Sequence, residues 1–594
     1  MDRNTLLRWL IIAAVVFVAF KWVIPAFTGK GSESHQAVPE ETYVNAPSFV
    51  PDVIDPATGD QKTPWQPPAG DVCKINGNRF VAELSSRGAG LTHFFLTDPR
   101  YATSKSADVS TTPDLERWRS LRTLFRNDGA KDDQLKYDRF NWATKTLGTT
   151  GCEFTYQDPD VKIVKTVTAG QRPFELNVDT AMTNLADAPK RHRFSIADFA
   201  YRTNGEMKGS LGRVSPFQTE LSCARDGDVF RKSKDDFKEG PFSTILVDRF
   251  AAVSNYYFAE ALVPLDVNAT GNKPECNLLA EQWYGANQKP DAEDAGVVFH
   301  SSLVYPERTL QPNETTTYRQ IAFFGPKERA VLAQAAGGTP HLGDLINLGF
   351  FSPVAKVLVG LITWIHAHIT FGNWGLAIIV LTVGLRLCLF PLTFKSIKTS
   401  IAMRKLKPEI DLLNKKFKDD AQAKNLATME LYRKHKVNPF GGCLPQLVQM
   451  PVWFAMYTTL QTAVEMYNTK FLWFSDLSAP DHLFILPIVL GGFMILQQRI
   501  VPQQGMDPMQ QKMMTWLLPG IFTVMMLFLP AALGVYMLTN SILGILQQLA
   551  VEKFAPRGGK PSGTKSSDIL VKDVSVSGGG AKGAAAFGKG KARV

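Results

Sequence analysis

The last third of the chain contains a segment of 39 residues, Met513–Val551, without a single charged side chain. A segment of this length and composition is typical of a membrane protein. As one helix it would be about 58 Å long, about twice the hydrocarbon thickness of a bilayer. We therefore predict two membrane spans joined by a tight turn at Pro530-Ala531-Ala532.

Four other apolar stretches predict further membrane spans. They are Leu6–Ile24, Trp374–Phe390, Leu444–Val464 and Leu483–Gln498. Arg3 and Arg8 lie at the start of the first stretch, and no small-residue cleavage site follows it. This pattern favours an uncleaved anchor over a signal peptide. With the two spans in the uncharged segment, the predicted fold is an α-helical polytopic membrane protein with six spans.

Basic residues between the spans indicate which side of the membrane each loop occupies. The loop Lys395–Lys436 holds 12 Lys and Arg against 5 Asp and Glu, and loops of this kind face the cytoplasm. Six spans also leave the basic tail after Lys553 in the cytoplasm, with both termini inside. This topology requires Ser352–Ile369, apolar at helical spacing, to be an amphipathic helix on the outer surface rather than a span.

Between Asp71 and about Lys327 the sequence changes to short alternating runs separated by Gly, Pro, Asn and Asp. Such runs predict β-strands about five residues long. The clearest ones are Phe80–Leu84, Val161–Val167, Phe174–Val178, Arg193–Ile196 and Tyr318–Phe323. We expect one large β-sandwich on the outer side. No catalytic or metal-binding pattern is recognisable, so we predict a docking or structural module without a cofactor, and not an enzyme.

Four cysteines fall in this outer region, where a disulfide can persist. They are Cys73, Cys152, Cys223 and Cys276. Four cysteines allow three pairings, and the sequence leaves the choice open. Cys388 and Cys443 lie in or near predicted spans, where cysteine usually packs as a small apolar group.

The predicted domain organisation follows from these changes in composition. It comprises an N-terminal membrane anchor (1–28), a flexible linker (29–70), the outer β-domain (71–338), an amphipathic surface helix (349–371), a five-span membrane core (372–551) with a cytoplasmic helical hairpin (394–437), and a basic tail (552–594). The Pro, Gly, Ser and acidic residues of the linker, and the Gly, Ala, Ser and Lys of the tail, cannot build a packed core.

Arg386 is the most informative residue of the predicted spans. A charge near the centre of a span costs about 2.5–3.5 kcal/mol on insertion scales, so the side chain should face water or a polar partner. The alternative is an arginine that reaches the nearby interface with its long side chain. Thr382 shares its helix face, four residues earlier. Polar residues of other spans that could line the same cavity are Gln446, Gln449, Tyr536 and Gln547.

The basic loop alternates charged residues with apolar ones at helical spacing. Met403, Leu406, Ile410, Leu413 and Phe417 form one stripe, and Leu426, Met429 and Tyr432 repeat the pattern. We predict two amphipathic helices that form a cytoplasmic hairpin. The hairpin either stabilises the fold or recruits partners, and the sequence favours neither role over the other.

Three ordered motifs resemble those of the YidC-type membrane protein insertases. Asn373–Ser396 (NWGLAIIVLTVGLRLCLFPLTFKS) resembles the first core span of that family, and Asn438–Pro451 (NPFGGCLPQLVQMP) is similar to the start of the next. Asp507–Lys512 (DPMQQK) is similar to the loop before the fifth span. The chain departs from many relatives at the last turn, where Pro-Ala-Ala stands in place of Pro-Ser-Gly.

The resemblance implies a Gram-negative form with a periplasmic β-supersandwich and a five-span insertase core. Such proteins insert new proteins into the inner membrane and assist their folding, alone or with the Sec translocon. The resemblance further implies a hydrophilic groove that contains Arg386, with other groove or substrate-contact positions at Thr382, Gln449, Met450 and Tyr536. The implied partners are nascent membrane proteins, the Sec translocon, the lipid bilayer and, through the basic tail and hairpin, the ribosome.

Two other functions are compatible with parts of this pattern. A secondary transporter could bind an anionic solute at Arg386, but transporters usually contain internal repeats and none is recognisable. A receptor-like anchor would instead carry its function in the outer domain. Deleting the outer domain would separate these alternatives, because an insertase core should keep working without it.

Overall fold

The structure is a computed structural model and describes residues 70–554 apart from short gaps. The gaps are residues 102–107, 110–117, 127–133, 136, 138–139, 210–214, 226, 239, 245, 266–272, 285–288, 338–341, 418–420, 436, 438–443, 501–508 and 510–511. The predicted anchor, almost all of the predicted linker and most of the basic tail, from residue 555 onward, therefore lie outside the described residues.

The first half of the described chain is built of β-strands. The first ten are β1 Val72–Gly77, β2 Phe80–Ser85, β3 Leu91–Leu96, β4 Arg122–Arg126, β5 Gln134–Leu135, β6 Ala143–Thr146, β7 Gly151–Gln157, β8 Val161–Ala169, β9 Glu175–Asn184 and β10 Lys190–Thr203. They are followed by β11 Glu220–Arg225, β12 Asp228–Ser233, β13 Phe242–Thr244, β14 Phe250–Ser254, β15 Phe258–Pro264, β16 Glu275–Trp283, β17 Gly296–Val304, β18 Arg308–Leu310 and β19 Thr315–Pro326.

These strands form three sheets with antiparallel pairing. A three-stranded sheet has the order β1-β2-β3, and a seven-stranded sheet has the order β13-β16-β17-β10-β4-β5 with β18 beside β10. A nine-stranded sheet has the order β12-β11-β14-β15-β19-β9-β8-β7-β6. The two larger sheets face each other across one apolar core, to which Phe194 of β10 and Leu262 of β15 both contribute. The predicted all-β sandwich is confirmed.

The five predicted strands are all present, but their predicted length is wrong. Each lies at least mostly within a longer strand, and β10 extends over 14 residues instead of about five. In β8 the buried positions alternate along the strand, which is the pattern that made it recognisable. β15 is buried at all seven positions, so it carries no alternation to detect.

Two disulfides join strands of different sheets. Cys73 of β1 pairs with Cys152 of β7, which ties the three-stranded sheet to the nine-stranded one. Cys223 of β11 pairs with Cys276 of β16, which ties the nine-stranded sheet to the seven-stranded one. The sequence left three pairings open, and the structure selects this one.

The second half of the described chain is helical. Two short helices precede it within the β-domain, α1 Asn204–Met207 and α2 Arg329–Leu332. The longer helices are α3 Ser352–His368, α4 Trp374–Cys388, α5 Phe390–Lys405, α6 Lys407–Lys416, α7 Ala421–Lys434, α8 Leu444–Gln461, α9 Ile485–Ile500, α10 Leu518–Met526 and α11 Ala531–Phe554. A π-helical turn, Met513–Leu517, leads into α10.

The helices agree only in part with the predicted spans. By length and hydropathy, α11 alone among the described helices suffices to cross a membrane, and α4 with α5 qualifies only as a pair bent by 65°. α9 and Met513–Met526 are apolar but shorter. The count of six spans is therefore not confirmed, and Leu6–Ile24 lies outside the described residues. The predicted turn agrees with the structure, since α11 begins directly after Pro530.

The helices pack around a second apolar core. α3 contacts α4 and α8, and α11 contacts α4 and α9. At Gly534 a Cβ atom would lie 2.3 Å from Cδ2 of Leu486, so α11 and α9 approach too closely for a larger residue. Ser352–Ile369 is helical as predicted, but Val357 and Trp364 are exposed beside Lys356, so its outer face is partly apolar.

The hairpin helices α6 and α7 are present, but their predicted stripe is only partly correct. Leu406, Ile410 and Tyr432 are buried together, whereas Leu426 and Met429 are 67% and 51% exposed. The expectation that Cys388 is packed is also wrong, because its side chain is exposed on α4. Cys443 lies outside the described residues.

One ion pair joins the β-domain to the helical half. At the start of α2, the backbone N–H of Arg329 donates to Oε1 of Glu465 at 2.9 Å. Nη1 of Arg329 donates to Oε2 of the same carboxylate at 2.6 Å. Glu465 lies in the turn that follows α8, and both side chains are less than one-fifth exposed. A double contact of this kind, shielded from water, is among the stronger polar interactions in proteins.

The neighbouring residue Glu328 extends this contact into the β-domain. Its carboxylate accepts hydrogen bonds from Arg79, Arg100 and the Tyr101 hydroxyl, the last at 2.7 Å. The Tyr101 ring stacks on Tyr467, two residues after Glu465, with ring centroids 6.0 Å apart. Burial, together with the adjacent Glu328 carboxylate, raises the pKa of Tyr101 far above its usual value. The hydroxyl therefore stays a hydrogen-bond donor at every physiological pH.

We expect Arg329→Ala and Glu465→Ala each to lower the stability of the purified protein in detergent. Because each variant breaks the same side-chain contact, the double variant should be little worse than Glu465→Ala, which also removes the bond from the backbone N–H of residue 329, with a coupling of about 2 kcal/mol. The midpoints of thermal unfolding of the four proteins measure this. Lys145→Ala is the matched control, since the Lys145–Glu153 pair is long at 3.9 Å and its lysine is 72% exposed. Strictly additive losses would show that the two residues act independently.

Candidate functional site

The helical half contains a polar cluster where α4, α8 and α11 meet. α4 contributes Arg386 and Thr382, α8 contributes Gln449, and α11 contributes Tyr536 and Asn540. The two residues of α4 are four positions apart, as are the two of α11, so each pair lies on one face of its helix. The cluster therefore brings polar side chains of three mainly apolar helices to one junction.

The Arg386 guanidinium is held by neutral oxygen atoms. Its Nε donates to Oδ1 of Asn540 at 2.7 Å, and Nη2 donates to the backbone carbonyl of the same residue at 2.9 Å. Nη1 donates to Oε1 of Gln547 at 3.4 Å. No carboxylate lies within ion-pair distance of this side chain among the described residues, so the positive charge is solvated but not neutralised.

Gln449 connects the third helix to the same atoms. Its Nε2 donates to Oδ1 of Asn540 at 3.2 Å, so one amide oxygen accepts from both α4 and α8. Thr382 is buried, and its hydroxyl donates to the Ile378 carbonyl of its own helix at 2.6 Å. Thr382 therefore lines the site, and its hydroxyl bonds within its own helix.

A glycine makes room for the cation. Gly544 lies one turn after Asn540 on α11, and a Cβ atom there would lie 3.3 Å from Nη2 of Arg386 and 3.4 Å from Nε2 of Gln497. A longer side chain would occupy the volume that the guanidinium fills.

The cluster borders a small cavity. Its lining residues are Thr382, Leu385, Arg386, Leu389, Gln449, Val452, Tyr536 and Asn540. The space open to the centre of a water molecule is about 10 Å³, which is room for about one water. The cavity is thus lined by five polar residues and three apolar ones, Leu385, Leu389 and Val452.

Of the residues predicted from sequence, Arg386, Thr382, Gln449 and Tyr536 are brought together here. Met450 is not, because it is 45% exposed and does not line the cavity. Gln547 takes part as predicted, while the side chain of Gln446 lies outside the described residues. Sequence reasoning missed Asn540, although its place one turn after Tyr536 in the uncharged segment could have indicated it.

A second polar cluster lies inside the β-domain. Lys165 is fully buried, and its Nζ donates to the carbonyls of Ala89 and Leu121 at 2.9 and 2.5 Å. Asp198 accepts from the backbone N–H of Leu121 at 3.2 Å. Burial lowers the pKa of Lys165 to about 7 and raises that of Asp198 to about 7. These bonds fix the backbone at Leu121, which has a positive φ of 60°.

The nearby residues Arg202 and Glu260 line a cavity of about 10 Å³, again room for about one water. Burial raises the pKa of Glu260 well above its usual value. The space is too small for a substrate. No group of His, Cys, Asp and Glu that could hold a metal is found in the described parts of the chain.

Comparison with known proteins gives matches to both halves. Residues 364–558 match the family model described as 60Kd inner membrane protein, and residues 73–361 match that of the YidC periplasmic domain. A relative from Anaeromyxobacter dehalogenans (strain 2CP-C), named membrane protein insertase YidC, is 50% identical over 409 residues. That alignment covers 68% of this chain and 69% of the relative.

A relative of the same name from Nitratidesulfovibrio vulgaris (strain DSM 19637 / Miyazaki F) is 31% identical over 560 residues, covering 90% of this chain and 97% of the relative. Among solved structures, one described as an active YidC insertase with its first transmembrane domain resolved is 18% identical. It covers 82% of this chain and 95% of its own, with a TM-score of 0.33.

Proposed function

The chain belongs to the YidC family of membrane protein insertases, and on that premise we propose that it inserts newly made proteins into the inner membrane through the polar cluster around Arg386. The observation that carries this proposal is the guanidinium itself. It sits where three apolar helices meet and is held by neutral acceptors only. Its charge is therefore not neutralised by a carboxylate among the described residues and can attract an acidic segment of a client chain.

The energetics of insertion explain why such a cluster is useful. A client span of about 20 apolar residues is stabilised by tens of kcal/mol on entering lipid, at about 25 cal/mol per Å². The barrier comes from the polar flank, which must cross a medium of low dielectric constant. A fixed positive charge with a few polar neighbours part of the way across lowers that barrier, most strongly for an acidic flank.

We expect Arg386→Lys to retain much of the insertion activity because the charge is kept, with some loss because an ammonium group cannot make both contacts to Asn540. Arg386→Ala should impair a client with an acidic translocated tail more than an otherwise identical client with a neutral tail. Protease protection of the two clients, compared across the three proteins, measures this. Equal losses for both clients with alanine would argue against attraction by charge.

We further propose that residues 29–371 lie in the periplasm and both termini in the cytoplasm. Two observations support this topology. The β-domain carries two disulfides, which persist in oxidising compartments. The loop Lys395–Lys436, with its 12 cations, has the composition of a cytoplasmic segment.

Cysteine labelling tests this topology. Ser475, after α8, and Glu430, on α7, are both exposed. In a background with Cys388 and Cys443 replaced by alanine, Ser475→Cys should react with an impermeant maleimide in intact spheroplasts. Glu430→Cys should react only after lysis. Labelling of Glu430→Cys in intact cells would contradict the six-span arrangement.

The cytoplasmic hairpin supports a further proposal, that it recruits the ribosome and the Sec translocon. Leu412, Leu426 and Met429 are 61%, 67% and 51% exposed on helices rich in lysine. At the base of the hairpin, Arg404 pairs with Glu552 of α11 at 2.5 Å, which anchors it to the membrane core. Exposed apolar residues ringed by cations are typical of a surface that binds an acidic partner with apolar patches.

We expect the triple variant Leu412→Ser, Leu426→Ser, Met429→Ser to fold normally but to lose ribosome co-sedimentation and co-purification with the translocon. The reason is that more than half of each of these side chains is exposed, so their loss removes little buried area from the hairpin. The matched control is Ile410→Ser, which removes a side chain that is only 4% exposed and should unfold the hairpin. Unchanged binding by the triple variant would leave the hairpin with a bracing role only.

A further inference from the structure

We infer that Asn540 is a positioning residue that fixes the Arg386 guanidinium with a neutral acceptor and so keeps its positive charge free for the acidic flank of a client. The inference rests on the proposed insertase function and deepens it. It assigns the selectivity for client charge to an uncharged residue on a different helix from the arginine.

Asn540 holds one edge of the guanidinium at two points. Its side-chain oxygen accepts from Nε at 2.7 Å and its backbone carbonyl accepts from Nη2 at 2.9 Å. Two contacts to a rigid planar group define its orientation as well as its position. Counting the weaker bond to Gln547, three of the five N–H donors are engaged. Two donors remain, one on each Nη atom.

The Arg386 guanidinium, which can only donate, determines that Oδ1 of the Asn540 amide faces it, and this oxygen in turn requires the Nε2 end of Gln449. Nε2 of Gln449 donates to the same Oδ1 that accepts from Arg386. If the Asn540 amide were rotated by half a turn, its NH₂ group would face the N–H of Arg386 and that bond could not form. The three side chains are therefore mutually consistent in only one arrangement.

The neutrality of Asn540 is the decisive property. A carboxylate at this position would accept the same two bonds with almost the same shape, but would also cancel the charge of the guanidinium. An apolar side chain at position 540 would leave the guanidinium charged but would remove the side-chain bond that fixes its position. Gly544, one turn further along α11, keeps the space beside Nη2 open. The site thus holds the Arg386 cation in place with neutral hydrogen-bond acceptors and without a carboxylate partner among the described residues.

Asn540→Asp tests the inference because it changes charge and almost nothing else. The full chain is reconstituted in vesicles of zwitterionic lipid, and two clients that differ only in tail charge are compared by protease protection. Insertion of the acidic-tail client should fall about tenfold, and that of the neutral-tail client by less than twofold. Ser541→Asp is the matched control, since the same charge one residue further lies outside the cavity and should affect both clients equally.

Gln547→Glu provides an independent variant if Asn540→Asp does not fold. Its carboxylate would meet the opposite edge of the guanidinium, so it should also reduce insertion of the acidic-tail client selectively. Equal losses for both clients, or no loss, in a folded variant would overturn the inference. If the unmodified protein inserted neither client better than protein-free vesicles do, the proposed function itself would fail.

Discussion

A guanidinium placed among apolar helices must find hydrogen-bond acceptors within the protein, because lipid and hydrocarbon side chains offer none. This requirement organises the helical half of the chain. The Arg386 guanidinium donates hydrogen bonds to residues of α11, and the side-chain oxygen of Asn540 also accepts one from Gln449 of α8. The three helices that surround the cavity are therefore joined at one point. A different choice of acceptor, such as a carboxylate, would satisfy the same geometry but remove the charge on which the proposed function depends.

A second polar junction connects the two halves. Arg329 and Glu465 bind each other at the end of the β-domain, and the adjacent Glu328 gathers Arg79, Arg100 and Tyr101. The contact follows directly after α8, the helix that carries Gln449. The β-domain and the polar cluster are thus attached to opposite ends of one helix, which contains Pro451 between them.

The sequence predicted some of these features and could not predict others, for physical reasons. Alternation identified β8 because one face of that strand is buried, whereas the fully buried β15 offers no such pattern. The charge of Arg386 in an apolar span identified the site, and helical spacing correctly added Thr382. Asn540 could have been added by the same spacing, since it lies one turn after Tyr536, but its bonds to α4 and α8 depend on the tertiary structure.

Tertiary information was also needed elsewhere in the chain. The cysteine pairing depends on which strands of separate sheets lie face to face, and spacing along the chain does not contain that information. The spacing of Leu426 and Met429 predicted a buried stripe, but only Tyr432 of that series is covered by α6.

Gly544 has a further effect, through helix propensity. Glycine inside a helix is about 1 kcal/mol less favourable than alanine. The residue that makes room for the cation therefore also lowers the helix propensity of α11 at that turn, so a turn that bends readily lies beside Asn540, the residue that holds the guanidinium.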